Sequence, residues 1–248
     1  MGDSRFSNEA FSLTAEVKSR ANRYGFDLVG IVAAADLDAV PSHWIGHRDY
    51  MCYTKKTSDY LEGARSIIIL GARVWDDIFE VVVKVRDHNE YPEEWRGESY
   101  TRRLVRFLER RGYRAVLDPD YLSKKRMAQL AGLGNFGKNT LIINPEYGPW
   151  LRLRSILTNA ELTPDKPFEK DLCGVCEKCV KACPVGAITS YKLDPDKCLL
   201  GMTWEQRRSA EFRAIWDGHC PHLTENTWMM CTTCQRACPY GREPRGLD

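Results

Sequence analysis

The stretch C-G-V-C-E-K-C-V-K-A-C-P, residues 173–184, carries Cys173, Cys176, Cys179, Cys183 and Pro184 in the spacing C-x2-C-x2-C-x3-C-P. That is the ligand run by which bacterial proteins hold [4Fe–4S] clusters. A second run, Cys231, Cys234, Cys238 and Pro239, repeats the last three ligands and the proline. Where two such clusters share a chain, the fourth Cys of each run crosses to the other cluster. Cys173, Cys176 and Cys179 therefore take Cys238, while Cys231 and Cys234 take Cys183. One ligand is still missing, because Trp228 stands three residues before Cys231. Cys198 and Cys220 are the candidates. Cys198 is preferred, since it follows the first run after one short strand-like segment, residues 188–193.

Structural zinc also uses C-x2-C pairs, but it keeps its two pairs well separated. Four Cys within residues 173–183 crowd a tetrahedral ion, and a proline after the last Cys, twice over, belongs to cubane clusters. A disulfide framework fits neither this length nor the lack of a secretory signal. Cys52 and Cys220 are read as buried free thiols.

At 248 residues the chain can hold one large or two small domains. Charged residues make up 28% and the formal net charge is +2, so no whole-protein pull toward nucleic acid or an anionic membrane is expected. Residues 1–9 are polar, no apolar run approaches a bilayer span, and no twin-arginine export signal is present. Ten Cys, most of them in cluster spacing, imply a reducing cytoplasm. The expectation is a cytoplasmic iron–sulfur protein with no membrane partner.

Along the chain, residues 8–24 read as an amphipathic helix stopped by Gly25, and residues 26–33 and 66–70 (S-I-I-I-L) as buried strands. Residues 81–95 fit no template, with 91–94 expected as a loop. Residues 98–111 read as a helix closed by Gly112, 114–117 as a strand, 123–131 as a helix and 140–143 as a strand. Arg102, Arg103, Arg106, Arg110 and Arg111 are read as one solvated helix face. The composition changes after residues 164–167, which places a boundary near residue 165.

One loop carries two motif matches that its context rejects. Gly132, Gly134 and Gly137 fit G-x-G-x-x-G, and residues 132–138 fit G-x4-G-K. A dinucleotide fingerprint needs a strand before and a helix after, the reverse of the order here. A phosphate loop needs Ser or Thr after the Lys, and this chain has Asn139. What remains is a loop that permits close backbone approach, with Lys138 as a cation, suited to a bulky anionic cofactor.

These stretches together resemble the epoxyqueuosine reductases and, more distantly, the reductive dehalogenases. The resemblance rests on G-F-D-L-V-G-I (residues 25–31), G-A-R-S-I-I-I-L-G (63–71), A-G-L-G-N-F-G-K-N-T-L-I-I-N-P-E-Y-G (131–148), S-I-L-T (155–158) and both Cys runs. It implies an α+β architecture: a nitroreductase-related, cobalamin-binding α/β domain at residues 1–164, then a small ferredoxin-like domain with two [4Fe–4S] clusters at 165–248. It implies Cys173, Cys176, Cys179 and Cys238 on one cluster and Cys183, Cys198, Cys231 and Cys234 on the other. It also implies corrinoid contacts at Gly132, Gly134, Gly137, Lys138, Asn139, Asn144 and Thr158.

The family's proton-donor Asp falls at Asp118, thirteen residues before Ala131. Around it the match is partial: the family reads D-[ST]-[AG]-P-x-x-E, and here Tyr121 replaces the Pro and Lys124 the Glu. The resemblance also implies a helical-repeat domain after the clusters that helps hold tRNA, whereas this sequence reaches Asp248. Near-neutral charge agrees with a chain lacking that surface.

By resemblance, electrons from a ferredoxin or flavodoxin would pass through two clusters to cobalamin, and Asp118, kept protonated by an apolar pocket, would deliver a proton. No lower-ligand spacing marks His43, His47, His88, His219 or His222, so base-off cobalamin is expected. Three functions follow, in order: a cobalamin-dependent reductase of a small organic substrate; a non-catalytic electron-transfer protein that docks or activates a corrinoid protein; and a tRNA epoxyqueuosine reductase. Nucleic acid is the least expected partner, with tRNA left open.

Overall fold

A computed structural model describes residues 3–45, 52–201, 206 and 209–246. His47 lies outside the described residues, as does the side chain of Cys52. In chain order the main elements begin with α1 (Asp3–Arg23), β1 (Leu28–Ala33), β2 (Ser66–Arg73), β3 (Val81–Val85), β4 (His88–Glu90), α2 (Pro92–Glu109) and β5 (Ala115–Leu117). They continue with α3 (Lys124–Leu130), β6 (Leu151–Thr158), α4 (Lys178–Ala182), α5 (Ala210–His219), β7 (His222–Thr224), β8 (Thr227–Met229) and α6 (Thr233–Arg236).

The central sheet runs β1-β2-β6-β5, antiparallel throughout. Successive residues of a strand point to opposite faces, so S-I-I-I-L must be covered on both. Ile68 and Leu70 pack with Ile31 and Ile156 beneath Val17 of α1 and Leu104 and Leu108 of α2. Ile67 and Ile69 pack with Val32 and Leu157 against Met127 and Ala128 of α3. Each such aliphatic side chain, fully buried, contributes about 2 kcal/mol. The result is a helix–sheet–helix layer of mixed α and β structure.

A second antiparallel sheet runs β7-β8-β3-β4, with Thr227–Met229 paired to Val81–Val83. It therefore joins residues on both sides of the boundary expected near 165. The connector there is also pinned: Asp165 accepts from Ile31 N at 2.8 Å and pairs with Lys18 at 2.6 Å, and Phe168 N donates to Gln129 O at 2.8 Å.

Three local expectations change. Residues 92–94, expected in a loop, form the first turn of α2, where Pro92 needs no hydrogen-bond acceptor and Glu93 and Glu94 suit the helix dipole. Only Ile142–Ile143 is extended in the segment 140–143, because Thr140 turns through a φ of 63°. Residues 188–193 fold as a tight hairpin, Ile188–Thr189 against Lys192–Leu193, with Tyr191 at φ 63°.

Of Arg102, Arg103, Arg106, Arg110 and Arg111, on and just after α2, two are ion-paired and a third stacks on aromatic rings. Arg102 pairs with Glu98, Arg111 with Glu16, and Arg103 lies over the rings of Tyr24 and Tyr100. That agrees with a solvated helix face. No helix among the described residues is long and apolar enough to cross a membrane.

Two turns lock the last Cys run to the first half of the chain. The Asn144 side chain donates to Leu133 O at 2.7 Å and accepts from Glu146 N and Tyr147 N at 2.9 and 3.0 Å. This shapes a turn that presents Gly148 to Gly241, three residues beyond Cys238. A Cβ on Gly241 would run into Tyr147 O and stand 2.8 Å from Gly148 N, and Gly241 also has a φ of 75°. Gly241→Ala combines left-handed strain with backbone overlap, so we expect a loss of about 3 kcal/mol in folding stability, read by urea denaturation.

Candidate metal centre and adjoining cavity

The two Cys runs fold into short helices, α4 and α6, that pack on each other. Around them the structure gathers two sets of four thiols. Cys173, Cys176, Cys179 and Cys238 line one cavity, here the outer one, with Asn139, Ile143 and Tyr240. Cys183, Cys198, Cys231 and Cys234 line a second, inner cavity of about 290 Å³. Cys198, and not Cys220, stands in that wall. Cys220 is fully buried among Trp216, Trp228 and Leu199.

The thiols do not converge on single points. Among the described residues no three His, Cys, Asp or Glu side chains are placed to hold one metal ion. Four thiols spaced around a void suit a cubane cluster better than zinc.

Backbone groups already point at the sulfurs. Lys138 N donates to Cys173 Sγ at 3.4 Å and Ala187 N to Cys183 Sγ at 3.2 Å. The Asp171 carboxylate caps the outer loop, accepting from Cys173 N at 2.9 Å, Gly174 N at 3.2 Å and Tyr191 Oη at 3.0 Å. Those bonds, led by the one from Cys173 N, hold its pKa below the usual carboxylate range.

Burial, reinforced by neighbouring thiolates, pushes Cys234 up to about 12 and Cys238 to about 11. A bound metal reverses that balance by holding the thiolate form. Cys231 is pulled down to about 6, first by a hydrogen bond from Cys220 and then, against burial, by Thr233.

A third cavity, open and of about 700 Å³, adjoins the inner one. Its apolar wall includes Trp44, Ile45, Leu122, Phe136 and Leu193, and its charged residues are Lys124, Lys125, Arg126 and Lys192 against Asp120. The three cavities form a row. Asn139 lines both the outer and inner cavities, while Thr140, Leu193 and Lys125 line both the inner and open ones. Val175, fully exposed in the outer thiol loop, puts the other end of the row at the surface.

The residues expected to hold a cofactor separate into two groups. Asn139 stands between cavities and Lys138 reaches Cys173 through its backbone. Gly132 serves packing, since a Cβ there would sit 2.7 Å from Lys166 O, and Gly134 and Gly137 pack against Ile142 and Ile143. Asn144 shapes the turn described above. Thr158 is buried and donates to Arg114 O at 2.8 Å.

Asp118 is not in an apolar pocket. Its carboxylate accepts from Arg154 Nη1 at 2.7 Å and Ser155 N at 2.7 Å, and lies 3.1 Å from Lys124 Nζ. Its φ of 44° adds backbone strain. Asp120, on the same loop, is the acid that lines the open cavity. Lys125, Thr140, Asp171 and Tyr191 were not singled out from the sequence. Asp171, two residues before a Cys, carried a readable turn signal; the other three carried none.

Two sets of four thiols beside an open cavity define a two-cluster iron–sulfur protein of the redox class. Residues 172–241 match the family model for a 4Fe-4S double cluster binding domain. An epoxyqueuosine reductase of Synechococcus sp. (strain RCC307) is 30% identical over 257 residues, covering 93% of this chain and 76% of that protein. One from Listeria monocytogenes is 39% identical over 130 residues, covering 52% of this chain and 32% of that protein.

The chain belongs to the epoxyqueuosine reductase family, whose members are oxidoreductases. Its fold is similar to the solved epoxyqueuosine reductase from Bacillus subtilis, with a TM-score of 0.67 and 24% identity, covering 93% of this chain and 66% of that one. It is also similar to a catabolic reductive dehalogenase, with a TM-score of 0.60 and 18% identity, covering 93% of this chain and 33% of that one. The chain thus spans about two-thirds of the B. subtilis enzyme.

If each thiol set holds one cluster, Cys198→Ala removes the inner cluster's electron paramagnetic resonance (EPR) signal and leaves the outer one. Cys220→Ala then retains both, with unchanged iron content.

Proposed function

We propose that this chain is an epoxyqueuosine reductase acting on modified tRNA. Electrons would enter at a cluster on Cys173, Cys176, Cys179 and Cys238. They would pass to one on Cys183, Cys198, Cys231 and Cys234, and end at a corrinoid in the open cavity. The observation that carries this reading is the row of three cavities with shared walls. The donor would be a low-potential carrier such as a ferredoxin or flavodoxin, docking at the exposed outer loop.

The apolar wall of the open cavity, Trp44, Ile45, Leu122, Phe136 and Leu193, suits the apolar face of a macrocycle. The corrinoid, when bound, supplies a strongly reducing cobalt. His43 lines this cavity and its Nδ1 lies 3.1 Å from Pro41 O; the reading assigns it no ligand role.

Removing an epoxide oxygen to leave an alkene takes two electrons and two protons and releases water. The clusters would pass the electrons one at a time. Asp118 is the proton donor in this reading, and it must leave Arg154 and Lys124 to face the cavity. The B. subtilis relative has been solved with its catalytic aspartate loop swung out of the active site. The strained backbone at Asp118 supports a comparable loop movement here.

The tRNA reading stands last among the expectations from sequence and moves to first here. Curated relatives that cover most of the chain share that name, and a similar structure, with a TM-score of 0.66, contains an epoxyqueuosine-modified tRNA-Tyr stem loop. Four cations against one acid at the open cavity also suit phosphate. The electron-transfer reading draws on one observation, the ion-paired state of Asp118.

The test is anaerobic turnover of epoxyqueuosine-modified tRNA with cobalamin and a low-potential reductant, alongside cobalt EPR. The proposal expects a base-off cobalt signal and queuosine product, with Asp118→Asn lowering kcat about 10²–10⁴-fold while both cluster signals persist. An unchanged cobalt signal with no product would leave the electron-transfer reading standing instead.

A further inference from the structure

Lys125 occupies an unusual place. It lies in the first turn of α3, where no acidic residue stands and a cation opposes the helix dipole. Lys124 beside it pairs with Asp118, and Arg126 lies over the Phe136 ring. Among the described residues Lys125 has no ion pair. Its side chain lines both the inner and the open cavity.

The charges facing it are few. Burial lowers its pKa, and the thiolates of Cys234 and Cys198 oppose that shift. The other charged groups in the inner cavity wall, Glu80 and Arg152, are paired with each other. Among the described residues Lys125 is therefore the cation between the inner thiol set and the open cavity that no carboxylate pairs. The outer cavity is lined by a lysine as well, the exposed Lys178, which borders that cavity alone.

We infer that Lys125 sets the direction of electron flow, holding the inner cluster at a higher reduction potential than it would otherwise have. The inference rests on the two-cluster reading above. A cluster on four thiolates is an anion that gains one more negative charge on reduction. A nearby ammonium favours the reduced form. The electron received from the outer cluster then settles beside the open cavity. Lys125 acts through the cluster and is a positioning residue.

The experiment is an anaerobic redox titration of the reconstituted full chain, followed by EPR, for wild type, Lys125→Met, Lys125→Gln and Lys125→Arg. We expect the reduced-to-oxidised ratio of the inner cluster at fixed potential to fall at least tenfold in the Met and Gln variants. For a one-electron couple that is 59 mV or more. The outer cluster stays within experimental error, and the Arg variant stays near wild type. An unchanged inner potential in Lys125→Met and Lys125→Gln overturns the inference and leaves the two-cluster reading intact. Loss of the inner cluster in both variants assigns Lys125 to scaffolding and overturns it as well. Absence of a second cluster in wild type overturns both.

Discussion

The structure depends on one constraint: residues far apart in sequence must meet around each set of four thiols. Cys238 has to return to the loop of Cys173, and Cys183 has to face Cys231 and Cys234. Cys179, Cys198, Cys234 and Cys238 resist, since burial and neighbouring thiolates raise the cost of the charged form a metal needs. The scaffold meets that cost with fixed geometry. Strand β8 adds to β3, Gly241 closes on Gly148, and Asp171 and Lys138 fasten the loop that carries Cys173. The two halves of the chain thus form one connected framework.

The loop of residues 132–140 shows how motif and role part company. Its glycines satisfy two nucleotide-binding patterns yet serve close packing against Lys166 and Ile143. The residues that follow do the work. Lys138 touches the outer set through its backbone, Asn139 separates outer from inner, and Thr140 separates inner from open. One short strip of chain passes all three cavities in order.

Much of this was legible in the sequence. The continuous apolar run of β2 declared a strand covered on both faces, and the Cys spacing named seven of the eight Cys that line the two cavities, with Cys198 preferred to Cys220 and the family resemblance implying it. Strand β6 was harder to read, because its pattern alternates as L-R-L-R and then runs continuously as S-I-L-T, following a sheet that is half exposed and then fully buried. The surroundings of Asp118 were not legible at all. An apolar pocket was expected, but Arg154 on β6 and Lys124 on α3 converge on it through tertiary contacts that local sequence does not encode. Lys125 was hidden for the same reason, as one lysine among three consecutive cations.

The central claim is that two cubane clusters sit in line between the surface loop of Val175 and the open cavity. Diffraction at the iron absorption edge from crystals of the reconstituted protein tests it most directly. The account predicts two compact anomalous peaks, one within Cys173, Cys176, Cys179 and Cys238 and the other within Cys183, Cys198, Cys231 and Cys234, the second beside Lys125. A single peak, or an inner cluster bound through Cys220 in place of Cys198, would contradict it.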